Sequence, residues 1–339
     1  MQLSLWLKKA PSRLYFWFIN ARPVSLPQSL LPGAVGLLLA VQGDGFSLLL
    51  GLVALLGAEL AHLAFNLFDD YFDWRKTRAG YREDLSAQGA RVRTVKFPYL
   101  TSGAATVQEL LAACCGFGAA AVCCGAVVWL FRGNIILWPA VICLVLGLMY
   151  SGGPFSLSYN GLGEAAIGVI FGPLLVCGVY MSAAGSLAPR VLAVGLALGL
   201  LVTNILFVHS VLDLPADLYA GKRTLAALLH NPDRQVLAVG LFGFMPYVLI
   251  AGAIILNWLR PGWLITFLSL PLAVALYRSM QDFRRNPQKR PQRKLWYGPM
   301  GNWQAICAAG LDWFMLRWLL ARNLLSAFAL CCGAAAVLA

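Results

Sequence analysis

Charge is what this sequence has least of. Asp, Glu, Lys and Arg make up 12% of its 339 residues, against 60% hydrophobic residues. That excludes an ordinary soluble domain, in which about a quarter of residues are charged. A cysteine pattern with a chemistry of its own is also missing. The nine cysteines fall mostly inside apolar runs, as in Cys114-Cys115, Cys123-Cys124 and Cys331-Cys332. Without a CxxC or Cys/His spacing they point away from a zinc site or disulfide framework and read as small packing residues. Residues 1–22 hold Lys8, Lys9, Arg13 and Arg22 but no short apolar core with a small-residue cleavage site, so no removable signal peptide is expected there. Acids are the minority charge, 14 against 26 basic residues, for a formal net charge of +12. The basic residues gather in loops between apolar runs rather than on one soluble face, so they read as an orientation signal, and no nucleic-acid partner is expected.

What the chain has instead is long apolar runs, at about 24–42, 47–72, 106–131, 134–151, 162–184, 189–212, 235–257 and 262–280, with a last helix within 304–339. Runs of this length cross a bilayer as helices. The expectation is an all-α integral membrane protein of about nine transmembrane helices, the last preceded by an interfacial segment at Gln304 to Leu320. The loops after the second, sixth and eighth helices hold most of the Lys and Arg, among them Arg75, Lys76, Arg78, Arg82, Arg91, Arg93 and Lys96, then Arg284, Arg285, Lys289, Arg290, Arg293 and Lys294; the other side receives Arg132, Arg190 and Arg260. By the positive-inside bias the N-terminus and those loops face the cytoplasm and the C-terminus lies outside, as in a bacterial inner membrane.

Two acidic stretches break the apolar pattern. The first ends the second run, with Asn66, Asp70 and Asp73 on one helical face and Asp69 beside them. Acid is costly in lipid, and convergent hard oxygens suit a divalent cation of the magnesium type. The second follows the sixth run: Asp213 and Asp217 share a face, His209 stands one turn earlier, and Gly221-Lys222-Arg223-Thr224 comes next. Both lie at the cytoplasmic end of an even-numbered helix, which suggests a duplicated four-helix unit within one polytopic domain spanning 1–339: repeat one at about 20–152, repeat two at about 160–280, and a further helix at about 304–339. Two such clusters facing each other would hold two or more magnesium ions, which bind a diphosphate by bridging its oxygens.

Asp69-Asp70-Tyr71-Phe72-Asp73 after Asn66, with Asp213 and Asp217 followed by Gly221-Lys222-Arg223-Thr224, resembles the paired aspartate motifs of the UbiA superfamily of intramembrane prenyltransferases. Ala21-Arg22-Pro23 with Ser25-Leu26-Pro27, Tyr150-Ser-Gly-Gly-Pro154 with Tyr159 to Glu164, and Gly221 to Ala226 are similar to the branch that prenylates 1,4-dihydroxy-2-naphthoate in menaquinone biosynthesis. The resemblance runs through about residues 15–280. Departures are specific: Asp69 replaces the family's usual Asn, Thr77 a further Asp, and His209, Ser210 and Leu212 stand where that branch commonly has an Asn pair and an Arg.

The resemblance implies a UbiA-type bundle and magnesium-dependent transfer from a polyprenyl diphosphate to an aromatic acceptor. Asp70, Asp73, Asp213 and Asp217 would be the catalytic carboxylates, holding metal with Asn66 and Asp69. Lys222 and Arg223, helped by Arg22 or Lys96, would contact the diphosphate. His62, Tyr150, Tyr159, Glu164 and His209 are the candidates around the acceptor. Each has a plainer alternative: the histidines as supports, since magnesium prefers oxygen, Glu164 and Glu59 as protonated, hydrogen-bonded carboxyls, and the tyrosines as interfacial anchors. Another acceptor, such as 4-hydroxybenzoate or a lipid, stays open, as does a transporter or polyprenyl phosphate binder. A transporter's charges usually sit near the midplane, whereas both clusters here lie at one face beside cations.

Overall fold

The computed structural model describes residues 13–76, 81–88 and 97–338; Lys8, Lys9, Thr77, Arg78, Arg91, Arg93 and Lys96 lie outside them. Among the described residues the chain is helical and carries no strand, only one isolated bridge between Asn160 and Arg223. The long helices are α1 (Pro27–Ala40), α2 (Leu48–Lys76), α3 (Val107–Arg132), α4 (Leu137–Ser151), α5 (Gly163–Ala184), α6 (Pro189–Leu212), α7 (Pro232–Ile255), α8 (Leu270–Arg285, entered through the tighter Pro261–Ser269) and α9 (Asp312–Leu338).

Seven helical stretches among the described residues are long and apolar enough to cross a bilayer, and the chain is an integral membrane protein. The number differs from the expected nine for two local reasons. The run at 24–42 spends its start on the 3-10 turn Pro23–Ser25, leaving α1 only 14 residues. The runs at 106–131 and 134–151 join as one stretch, Val107–Ser151, which turns at Gly133 (φ 67°). The C-terminal expectation also shifts. Instead of an interfacial segment and a short span, one 27-residue helix runs from Asp312 to Leu338. The charge of Arg317 is housed inside it, donating to the carbonyls of Ser279 and Trp313 and lying 4.7 Å from the Phe283 ring.

Helix α6 is the most buried span and packs against α1, α5, α7 and α9; Val107–Ser151 is the least buried. The latter exposes Val122, Leu130, Phe131, Val141 and Leu144, as a helix at a lipid-facing rim does. Glycine makes the α5–α6 contact possible. A Cβ on Gly172 would stand 2.4 Å from the Gly199 Cα, and one on Gly199 the same distance from the Gly168 carbonyl oxygen. Gly168 and Gly172 thus oppose Gly195 and Gly199, four apart on each helix, and the backbones touch. At this crossing α5 bends through a π-turn, Ile170–Leu174, where Pro173 offers no N–H and Gly172 leaves helical geometry. The bend turns Ile167, Ile170, Phe171 and Leu175 toward a cavity in the bundle.

The chain repeatedly returns to the end of the bundle where that cavity is polar. Ser151, ending α4, hydrogen-bonds Asp69 near the end of α2, while Arg132, ending α3, reaches the carbonyls of Gly45, Ser182 and Ala183 at the opposite end. There it satisfies the last carbonyls of α5 and complements their partial charge.

Candidate active site

The last two turns of α2 supply the first acidic cluster, and each carboxylate there is held by named partners. Asp69 accepts from Ser151 Oγ at 2.5 Å and faces Arg22 at 3.3 Å; Asp70 faces Arg22 at 3.2 Å and accepts from the Tyr99 hydroxyl at 2.9 Å. Asp73, wholly buried, accepts from the Tyr159 hydroxyl and from Lys222 Nζ, both at 2.7 Å. Arg22 occupies the left-handed region (φ 61°) just before Pro23, a strained conformation of the kind that collects at functional sites. Its guanidinium also donates to the Asn66 carbonyl at 2.5 Å. Burial lowers its pKa, but Asp70 and Asp69 outweigh burial and hold it above the ordinary arginine value. The Asn66 side-chain nitrogen donates to the Ala21 carbonyl and to Ser25 Oγ.

The second cluster begins where α6 ends. Asp213 accepts both arms of Arg82, at 3.1 and 2.7 Å, in a pair almost completely buried. Asp217 follows on the short helix Leu214–Tyr219, and its carbonyl receives the Lys222 amide. Gly221 (φ 72°) turns the chain so that Lys222 extends across to Asp73. Burial pushes the Lys222 ammonium down, yet Asp73 and Asp69 raise it well above the usual lysine range, so it stays charged at neutral pH. Glu164, at the start of α5, accepts the Leu225 amide on both oxygens and fastens the loop bearing Lys222. The Tyr159 ring lies 4.1 Å from Lys76 Nζ and 5.0 Å from Lys222 Nζ, a cation–π contact with each.

All five aspartates line one cavity of about 650 Å³, together with Arg22, Arg82 and Lys222. Among the described residues no three Asp, Glu, His or Cys side chains converge closely enough to enclose a metal ion unaided. The donor set is nonetheless one of hard carboxylate oxygens from two sides of one cavity, which fits a magnesium-type ion whose remaining ligands are water or ligand oxygens.

Of the acceptor candidates, His62, Tyr150, Glu164 and His209 line the cavity. The His62 ring sits between Ser25 Oγ (3.2 Å) and Ser29 Oγ (2.7 Å), with Ser29 donating on to Glu59, and it packs on Phe171. His209 meets Phe314 edge-on. Tyr159 does not line the cavity; it acts through Asp73 and the two lysines. Arg223 is exposed and off the cavity wall, and its amide donates to the Tyr159 carbonyl. Lys96 is outside the described residues. The sequence reading missed Arg82, Tyr99, Ser151 and Lys76. Arg82 stood among seven basic residues of one loop with nothing local to single it out, and its partner is 131 positions away.

The membrane bundle thus brings two acidic clusters and the cations Arg22, Arg82 and Lys222 to one aromatic-walled cavity. The chain belongs to the UbiA prenyltransferase family, whose sequence model matches residues 29–306, and it is a prenyltransferase. It is 26% identical over 258 residues to a 1,4-dihydroxy-2-naphthoate octaprenyltransferase of Bacillus subtilis, covering 75% of this chain and 78% of that one. It is also 30% identical over 299 residues to UbiA prenyltransferase domain-containing protein 1 of Danio rerio, covering 85% and 82%. A UbiA homolog from Archaeoglobus fulgidus, solved with GPP and Mg2+, shares the fold, with a TM-score of 0.59 at 17% identity over 91% of this chain and 99% of that one.

Proposed function

We propose that this enzyme uses magnesium to transfer the prenyl group of a polyprenyl diphosphate to 1,4-dihydroxy-2-naphthoate, a step of menaquinone biosynthesis. The observation that carries the reading is that both acidic clusters and Lys222 line the same cavity. They belong to the two proposed repeats, about 20–152 and 160–280. The similarity to the 1,4-dihydroxy-2-naphthoate octaprenyltransferase of Bacillus subtilis supports the acceptor.

Asn66, Asp70, Asp73, Asp213 and Asp217 would hold the metal, with Asp69 beside them. Bound magnesium would neutralise the diphosphate and make it a better leaving group. Arg22 and Lys222 then donate hydrogen bonds to the departing diphosphate oxygens, with Lys96 a further candidate. Phe65, Phe68, Phe72 and Phe171 give the cavity an apolar wall that keeps water from the allylic cation and accommodates the isoprenoid tail. His62, Tyr150 and His209 border the space for the acceptor ring. The site opens to the cytoplasm of a bacterial inner membrane. A second reading, a different aromatic acceptor in the same reaction, is favoured by Ser210 and Leu212, which offer no charge to a carboxylate.

The test is to incubate purified protein with prenyl diphosphates and a panel of acceptors and to read products by mass spectrometry. Dihydroxynaphthoate should be prenylated, and chelation of the divalent ion should stop turnover. Asp70→Ala and Asp217→Ala should each remove most activity while the protein stays folded in detergent; full activity in either sinks the two-cluster site. Product with 4-hydroxybenzoate but none with dihydroxynaphthoate overturns the acceptor.

A further inference from the structure

A second concavity, about 550 Å³, opens between α8 and α9 and is lined by Arg278, Lys289, Arg290 and Lys294. It lies on the face that carries the acidic clusters. Helix α7 begins just past the loop of Lys222, and its Asp233 pairs with Arg284 in the last turn of α8. Of the acidic residues only Asp282 lines the pocket, and no ion pair engages those four cations among the described residues. Its wall is fixed. Asn323 on α9 donates to the carbonyls of Tyr297 and Pro299, at 2.8 and 2.9 Å, and buried Arg317 forms part of the floor.

Two adjoining side chains indicate where the ligand comes from. Leu295 is 88% exposed and Trp296 is 52% exposed, side by side in the short turn Leu295–Tyr297, and Trp296 also lines the pocket. A soluble anion gains nothing from exposed leucine and tryptophan. A lipid does, because such residues insert at the headgroup level while neighbouring cations take the phosphate. We propose that this pocket binds the phosphate headgroup of an anionic membrane lipid from the leaflet that faces the active site, with the acyl chains descending between α8 and α9 past Pro271 and Val274.

The experiment uses the full-length protein purified in detergent and native mass spectrometry with three probes: phosphatidylglycerol, cardiolipin and phosphatidylcholine. An anionic lipid should be retained over phosphatidylcholine. R278Q/K289Q/R290Q should weaken that retention about tenfold or more, while size-exclusion behaviour and prenyl transfer in detergent persist. L295S/W296S keeps the cations and should also lose lipid. Equal retention of phosphatidylcholine overturns the proposal, as does unchanged anionic lipid in the triple variant. So does displacement of the lipid by submillimolar inorganic diphosphate, which would make the pocket a site for soluble phosphate.

Discussion

Tyr159 shows how few atoms hold the two halves of the site in register. Its hydroxyl donates to Asp73, and its ring contacts both Lys76 and Lys222. Tyr159→Phe deletes the first contact and keeps the second. Because Asp73 is fully buried, losing one charged hydrogen bond should cost about 1.5–3 kcal/mol, or roughly one to two decades in kcat/KM. Steady-state kinetics check this, and an unchanged value would show that Lys222 alone suffices for Asp73. Arg82 makes the opposite kind of case. Arg82→Ala would take the bidentate partner from buried Asp213, a loss of about 3–5 kcal/mol. A marked fall in the detergent melting temperature is expected, which Arg82→Lys restores only in part because a single ammonium cannot reproduce the bidentate fork. The sequence singles out the aspartates because acid is costly in an apolar chain, and Lys222 because it follows the second acidic stretch. Arg82, Tyr99 and Ser151 are not singled out, since each became a partner only when folding joined distant stretches.

At the scale of helices, the crossing of α5 and α6 is the element most exposed to a single change. Gly199→Val would drive a side chain into the Gly168 carbonyl and the Gly172 Cα, an overpacking worth about 1–3 kcal/mol. Unfolding in detergent should begin several degrees lower, whereas Gly252→Ala in α7, with nothing near its added methyl, should leave the transition in place. Gly199→Val would also move the kink at Pro173 and so the wall carrying Phe171, and KM for the prenyl diphosphate should rise with it. The length of the apolar runs predicted that these helices exist. It could not predict the kink, which depends on how two backbones meet, or the brevity of α1, whose run spends its start on the 3-10 turn Pro23–Ser25.

For the whole molecule, the bias of Lys and Arg toward one side predicts that the N-terminus and both clusters are cytoplasmic and the C-terminus is outside. Cysteines introduced singly near Arg82 or Lys289, in a background without native cysteines, should resist an impermeant reagent in intact cells. Labelling there would invert the orientation.

The acids and cations of the cavity also come close to neutralising one another. Its carboxylates lean on Arg22, Arg82 and Lys222, the same cations that a diphosphate would seek. Binding is then an exchange of partners rather than a meeting of unmet charges. A diphosphate arriving alone takes cations away from carboxylates left behind, and a metal arriving alone takes carboxylates away from cations left behind; each repairs the deficit the other creates. The two should therefore bind with positive coupling, each tightening the other by the same factor. Calorimetry with a non-hydrolysable prenyl diphosphate, titrated with and without magnesium, should return weak affinities separately and a much stronger one together, and independent affinities would show that the resting ion pairs are never broken.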